Sequence, residues 1–239
     1  MHKKARTALI LLVAAALLTG GGYLVYRATL KNYVDCARML LRVYNADASD
    51  LDFTVNVSIA DLDLDTRFRA VRFSFQDDSA TQVTIYGKLA DYTFYKIGGR
   101  ALSETDGDAE ASGGIPRNFM ELLQWGAEIY QSDLEIERTG DRERAVYQVD
   151  VPDDLAQAFL DAYLTELSQL ELEYSDCRLV LVSADDTMTE LTLQGTVTYH
   201  LPLHDVSADL TVRAAVNALD DDVPIPEVPD SVRQAANGS

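Results

Sequence analysis

From Leu51 onward the chain alternates. Leu51, Phe53, Val55, Val57 and Ile59 are separated by Asp52, Thr54, Asn56 and Ser58. A period of two puts the first set on one face of an extended strand and the second on the other. The phase flips at Asp61, because Leu62 and Leu64 then carry the apolar face, and such a flip needs a bulge or a turn. Further strands read over Phe68–Phe75, Thr81–Leu89 and Tyr92–Ile97, separated by Gln76–Ser79 and Ala90-Asp91. These breaks are short enough for hairpins, so the first four strands form an antiparallel meander. Later runs at Asp133–Arg138, Arg144–Val151, Glu171–Ser183, Thr189–Tyr199 and Val206–Val216 bring the total to about nine strands with one apolar face throughout. Consecutive Leu179-Val-Leu-Val182 predicts burial on both faces at that point.

Helical spacing appears in three places. Leu30, Tyr33, Val34, Ala37, Leu40, Leu41 and Tyr44 recur at i, i+3 and i+4, opposite Lys31, Asp35, Arg38 and Arg42. This amphipathic helix is expected to dock on the core of its own domain. Pro116 opens a second helix whose Phe119, Leu122, Leu123, Ile129 and Tyr130 share a face. Pro152-Asp-Asp154 opens a third, with acids at its positive end and a stripe of Leu155, Phe159, Ala162, Tyr163, Leu167 and Leu170. Between strands and second helix, Glu104–Gly114 reads as a flexible acidic loop. The fold class is α+β: one strongly curved antiparallel sheet, a half-open barrel, packed on two or three helices.

Charge divides the chain. Residues 1–38 hold six basic side chains against one acid, Asp35, a net +5; the remaining 14 basic and 38 acidic side chains sum to −24. Inside the basic segment, Thr7–Tyr26 is uncharged for twenty residues. At about 1.5 Å per helical residue it spans about 30 Å, the thickness of a hydrocarbon core. Lys3, Lys4 and Arg6 precede it, which places the N-terminus in the cytoplasm and exports the acidic remainder. The expected layout is a cytoplasmic N-terminus (1–6), a transmembrane signal-anchor (7–26), an amphipathic helix (27–48), an extracytoplasmic β-rich domain (51–218) and a Pro/Asp-rich tail (219–239). In the tail an extended stretch leads into about one helical turn at Ser231–Ala236. Thr19-Gly-Gly-Gly22 offers small residues for a signal peptidase, so a secreted, cleaved form is the alternative to a retained anchor. Cys36 and Cys177 are too few for a disulfide scaffold, and either a pair or two buried thiols fits.

The order helix, four-strand meander, mid-chain helix, two strands, Pro-led helix, three strands and a Val-Pro-Ile-Pro ending resembles the LolA/LppX-like superfamily of exported proteins. The resemblance covers about residues 30–228 and is one of architecture, without a diagnostic motif. It implies a half-open barrel whose apolar cavity is closed by helices and which holds acyl chains. The chain departs from that pattern in its membrane helix and in lacking a lipobox before Cys36. A tethered domain does not diffuse away with cargo.

Catalytic chemistry finds little footing. The sequence has no Gly-x-Ser-x-Gly, His-Glu-x-x-His or phosphate-cradling glycine loop. His200 and His204 flank Pro202 in a turn, which does not suit a helical metal pair, and Asp61, Asp63 and Asp65 read as solvated charge. No catalytic residue, cofactor or metal is therefore expected. The acidity excludes nucleic acid, whose phosphates need clustered Lys and Arg. Aromatic residues concentrate in the meander and the second helix. Tyr86, Tyr92, Phe94, Phe119, Leu123, Trp125 and Tyr130 are the candidate lining of an apolar ligand pocket between sheet and helix. The functional expectation is a non-enzymatic module tethered to the membrane through Thr7–Tyr26, holding a lipid or other apolar ligand. The alternative is a protein-interaction or envelope-sensor domain with no small ligand, its protein partner unknown.

Overall fold

The computed structural model describes residues 31–59, 62–105, 108–111, 119–130, 134–157, 172–201 and 204–237. The uncharged run at 7–26 lies outside them, as do Leu30, Pro116 and, from the third helical stripe, Phe159, Ala162, Tyr163, Leu167 and Leu170. Among the described residues no helix is long and apolar enough to cross a membrane.

Helix α1 (Lys31–Asn45) leads into eleven strands: β1 (Ser49–Ile59), β2 (Leu62–Phe75), β3 (Asp78–Tyr86), β4 (Tyr92–Ile97), β5 (Arg100–Thr105), β6 (Asp108–Ala111), β7 (Glu137–Gly140), β8 (Ala145–Asp150), β9 (Leu172–Ala184), β10 (Thr187–His200) and β11 (Asp205–Leu219). Helix α2 (Phe119–Ile129) interrupts them after β6, residues 153–157 are helical after β8, and α3 (Asp230–Asn237) closes the chain. All the pairings are antiparallel, in the order β6-β5-β4-β3-β2-β1-β11-β10-β9-β8-β7. The sheet is curved and unclosed, with β6 and β7 as its edges. Accumulated right-handed twist bends so wide a sheet. Register shifts at Asp50/Leu51, Met188/Glu190 and Gln194/Thr196 add to that bend. At the last of these Gly195 meets the backbone and side chain of Cys177. A Cβ there would sit 2.7 Å from Cys177 Sγ, so only glycine lets the two strands approach this closely.

The meander is as expected, with the phase flip resolved by the hairpin between β1 and β2, but four features differ. The stretch read as an acidic loop contains the last two residues of β5 and all of β6. Its small and acidic residues favour a loop locally. Buried Leu102 and half-buried Ala109 nevertheless pack under the C-terminal segment, and that contact decides the outcome. The sheet therefore exceeds the expected nine strands.

The second difference is that the apolar pattern is two-sided. Phe68, Ala70, Val83 and Phe94 join a main core with α1 and α2, whereas Val71, Phe73, Ala80, Tyr95 and Ile97 point to the other face. There the supposed tail covers them: Val223, Val228 and Val232 are buried, and Arg100 donates to the carbonyls of Ala235 and Ala236. The tail is thus a second layer, with a 3-10 turn at Asp220–Asp222 and a helix longer than the single turn read from the sequence.

Third, α1 is rotated. It buries Cys36, Ala37, Met39, Leu40 and Val43, with Leu41 and Tyr44 packed at the margin, so Ala37 and Leu40 of the predicted stripe face the core while Val34 is exposed. Tyr33 and Tyr44 drew the predicted stripe sideways. Both are only half-buried, and the Tyr33 hydroxyl donates to the Leu134 carbonyl at the edge of the core. Arg72 donates to the carbonyls of Ala46 and Val43 and so fastens the helix C-terminus to β2. Fourth, Leu179 and Leu181 are fully buried but Val180 and Val182 only half, so β9 alternates like its neighbours. Cys36 and Cys177 are both buried free thiols, and burial raises the pKa of each, that of Cys177 to about 11.

Candidate functional site

The face of the sheet that bears α1 and α2 has one half covered by them and one half that no described helix covers. In the covered half one row runs through Phe68, Phe53, Ala214, Leu191, Leu181 and Tyr147 in register across six strands, all of them buried. Phe53 stacks on Phe68 with ring centroids 4.9 Å apart and 10° between planes. From α2 and the residue after it come Leu123, Trp125, Ala127, Ile129 and Tyr130. The Tyr130 hydroxyl donates to the Tyr147 carbonyl at 2.9 Å, and burial holds its pKa above the usual phenol range. Arg138 donates from Nε to the Tyr147 hydroxyl at 3.3 Å and lies over that ring, its guanidinium carbon 5.6 Å from the centroid.

Beyond the helices the same alternation continues to the strand ends. Val57 faces Leu64 on one side and Leu210 on the other; Val55 faces Val212, and Tyr199 faces Val206. Ile59 and Val197 extend the strip. These residues are half-buried, and Leu64 is 49% exposed. On the opposite face polar pairs join the same strands: Asn56 donates to Asp65 at 2.8 Å, and Thr198 and Ser207 share a hydrogen bond at 2.9 Å. The sheet end formed by the β1–β2 and β10–β11 hairpins is therefore apolar toward the helix side and polar away from it. An apolar strip rimmed by charge is the surface type that takes apolar ligands.

The candidate residues from the sequence divide. Leu123, Trp125 and Tyr130 are filled core. Phe94 packs against that core, half-buried, and Tyr92, on the same face opposite Ile85, is 56% exposed. Tyr86 is 44% exposed on the other face, in a cleft of about 530 Å³ lined also by Asp52, Thr54, Arg67 and Arg213. The backbone of Phe119 opens α2, and its side chain lies outside the described residues. The strip of Val55, Val57, Leu64, Val197, Leu210 and Val212 was missed. Its signal in the sequence is alternation carried to the strand ends, a pattern that a filled core produces equally.

Polar chemistry is sparse. Among the described residues no group of His, Cys, Asp and Glu could hold a metal ion. His200 ends β10 with Nδ1 3.0 Å from Asp205 and Nε2 2.9 Å from Glu173. Asp205 first and Glu173 second raise its pKa above the ordinary 6.5, although it is exposed. A raised folded-state value stabilises fully below the unfolded pKa and is lost as pH rises through the folded one. Melting temperature should therefore decline from about pH 6.5 upward, and His200→Gln should flatten that decline. An NMR titration midpoint at or below 6.5 for His200 would contradict the geometry.

No protein-family model and no curated protein matches the sequence. Solved structures similar in chain course include LprF from Mycobacterium bovis (9% identity, 83% of this chain and 97% of that one, TM-score 0.45). A LolA superfamily protein from Nitrosomonas europaea is similar at 7% identity over 84% of this chain and 96% of that one, TM-score 0.31. An outer membrane lipoprotein-sorting protein domain from Vibrio parahaemolyticus is similar at 9% identity over 86% and 98%, TM-score 0.26. These likenesses are of chain course alone, at identities of 7–9%.

Proposed function

We propose that this protein is a single-pass, membrane-tethered extracytoplasmic module that binds a lipid or other apolar ligand and carries out no catalysis. The anchor is Thr7–Tyr26, with the N-terminus in the cytoplasm. The observation that carries the ligand reading is the half of the helix-bearing face that no described helix covers. There Val57, Leu64 and Leu210 extend the core beyond its helices and leave Leu64 half in solvent. The interaction-domain alternative has less support, because edge strand β7 is four residues long, charged and fully exposed, a form that resists pairing with another chain.

Leu64→Asp tests the reading, since an exposed position tolerates the change within about 0.5 kcal/mol. Losing one apolar contact of about 1.5–3 kcal/mol should weaken binding of N-phenyl-1-naphthylamine about tenfold or more. Full-length protein should also copurify with lipid detectable by mass spectrometry, and the variant with less. Equal probe affinity in both proteins, with no lipid in either, refutes the proposal.

A further inference from the structure

Helix α1 has apolar residues on two sides. At about 100° per residue, Cys36, Met39, Leu40 and Val43 point one way, into the main core. Val34, Ala37 and Leu41 lie on its other flank, where Val34 is the exposed one, Ala37 is buried and Leu41 is half-buried, with one side against the core. They form an open groove of about 630 Å³ with Arg38, Arg42 and Asn45. Val34 is 39% exposed. Arg38 and Arg42 make no ion pair among the described residues, and both are exposed.

We propose that this face of α1 is seated on an anionic bilayer surface, with Val34 and Leu41 at the boundary between headgroups and acyl chains and Arg38 and Arg42 on lipid phosphates. The inference rests on the tethering proposed above. The uncharged run ends at Tyr26 and α1 begins at Lys31. Four intervening residues reach at most about 14 Å, and a fifteen-residue helix is about 22 Å long. The first turn of α1, with Val34, is therefore held near the headgroups. Charge selects the face. Residues 39–239 sum to −24 and are repelled by anionic lipid over most of their surface. Two arginines without an ion pair among the described residues, beside an apolar stripe, give the approach a favourable side.

The test uses the full-length chain in vesicles of phosphatidylethanolamine and phosphatidylglycerol, with bimane attached through Val34→Cys, Leu41→Cys or, as a water-exposed reference, Leu89→Cys. The parent chain, whose two thiols are buried, is the blank. Acyl-brominated lipid should quench labels at 34 and 41 at least threefold more than at 89, and less in phosphatidylcholine vesicles. Arg38→Glu with Arg42→Glu should return them to the reference level. Vesicle-bound protein whose three labels quench equally overturns the proposal and leaves the tether standing. Failure of 34 and 41 to react while 89 does overturns it too, because another protein segment then covers the face. Protein that does not float with vesicles refutes the tether itself, and the proposal with it.

Discussion

Arg69→Met is expected to destabilise the domain by about 3 kcal/mol, the lower end of the range for breaking a buried ion pair, because the arginine itself is partly solvated. Asp50 is the acid at stake: its side chain is 3% exposed. Arg69 grips it with both arms, Nε to Oδ1 at 2.8 Å and Nη2 to Oδ2 at 2.6 Å. The remaining partner is Asn217 Nδ2 at 3.4 Å. Asp50 sits where the β1–β11 register shifts, so these bonds hold β1 to β2 on one side and to β11 on the other. Methionine keeps the aliphatic stem and strands the carboxylate in a site without a cation. Asp50→Asn in the same chain should recover at least half of the loss, because it removes the stranded charge. Urea titration of both variants measures this, and a single-variant cost under about 1 kcal/mol would show that the pair contributes little.

Phe53→Ala should cost about 3–5 kcal/mol, a large part of the 5–15 kcal/mol that a domain commonly has. Phe53 is 1% exposed in the covered row, between Phe68 and Ala214. Alanine at 214 is small already, so no neighbour on that side can swing in to fill the void. A double-mutant cycle with Phe68→Ala should isolate a coupling of about 0.5–1.5 kcal/mol for the stack itself. Strict additivity in the cycle would mean that the two rings contribute area and no pairwise geometry.

Both variants act on features that differ in how visible they are in the sequence. Phe53 announces itself, because it falls in phase with Leu51 and Val55 on a strand that no other period fits. Asp50 does not. An acid at a strand start reads as solvated, and only the twist of β2 across it brings Arg69 within reach. The proposed binding strip lies between these cases. Val57, Leu64 and Leu210 were each readable as inward-facing, but their exposure depends on where α1 and α2 stop covering the sheet. Rings at Trp125 and Tyr130 looked like pocket lining for the same reason, since a filled core and an open cavity demand the same side chains.

The sequence by itself determined the antiparallel meander, the sidedness of β1, β10 and β11, and the division into a basic, uncharged-run segment and an acidic remainder. Those are local properties: periodicity is set by backbone geometry, and charge by composition. Tertiary structure alone decided that Glu104 onward pairs as a hairpin, that the Val223–Val232 segment covers a second face, and that α1 turns Cys36 and Met39 inward and Val34 outward. Each of these outcomes depends on a contact between residues far apart in the chain, where the apolar area available on the partner surface outweighs a weak or contrary local preference.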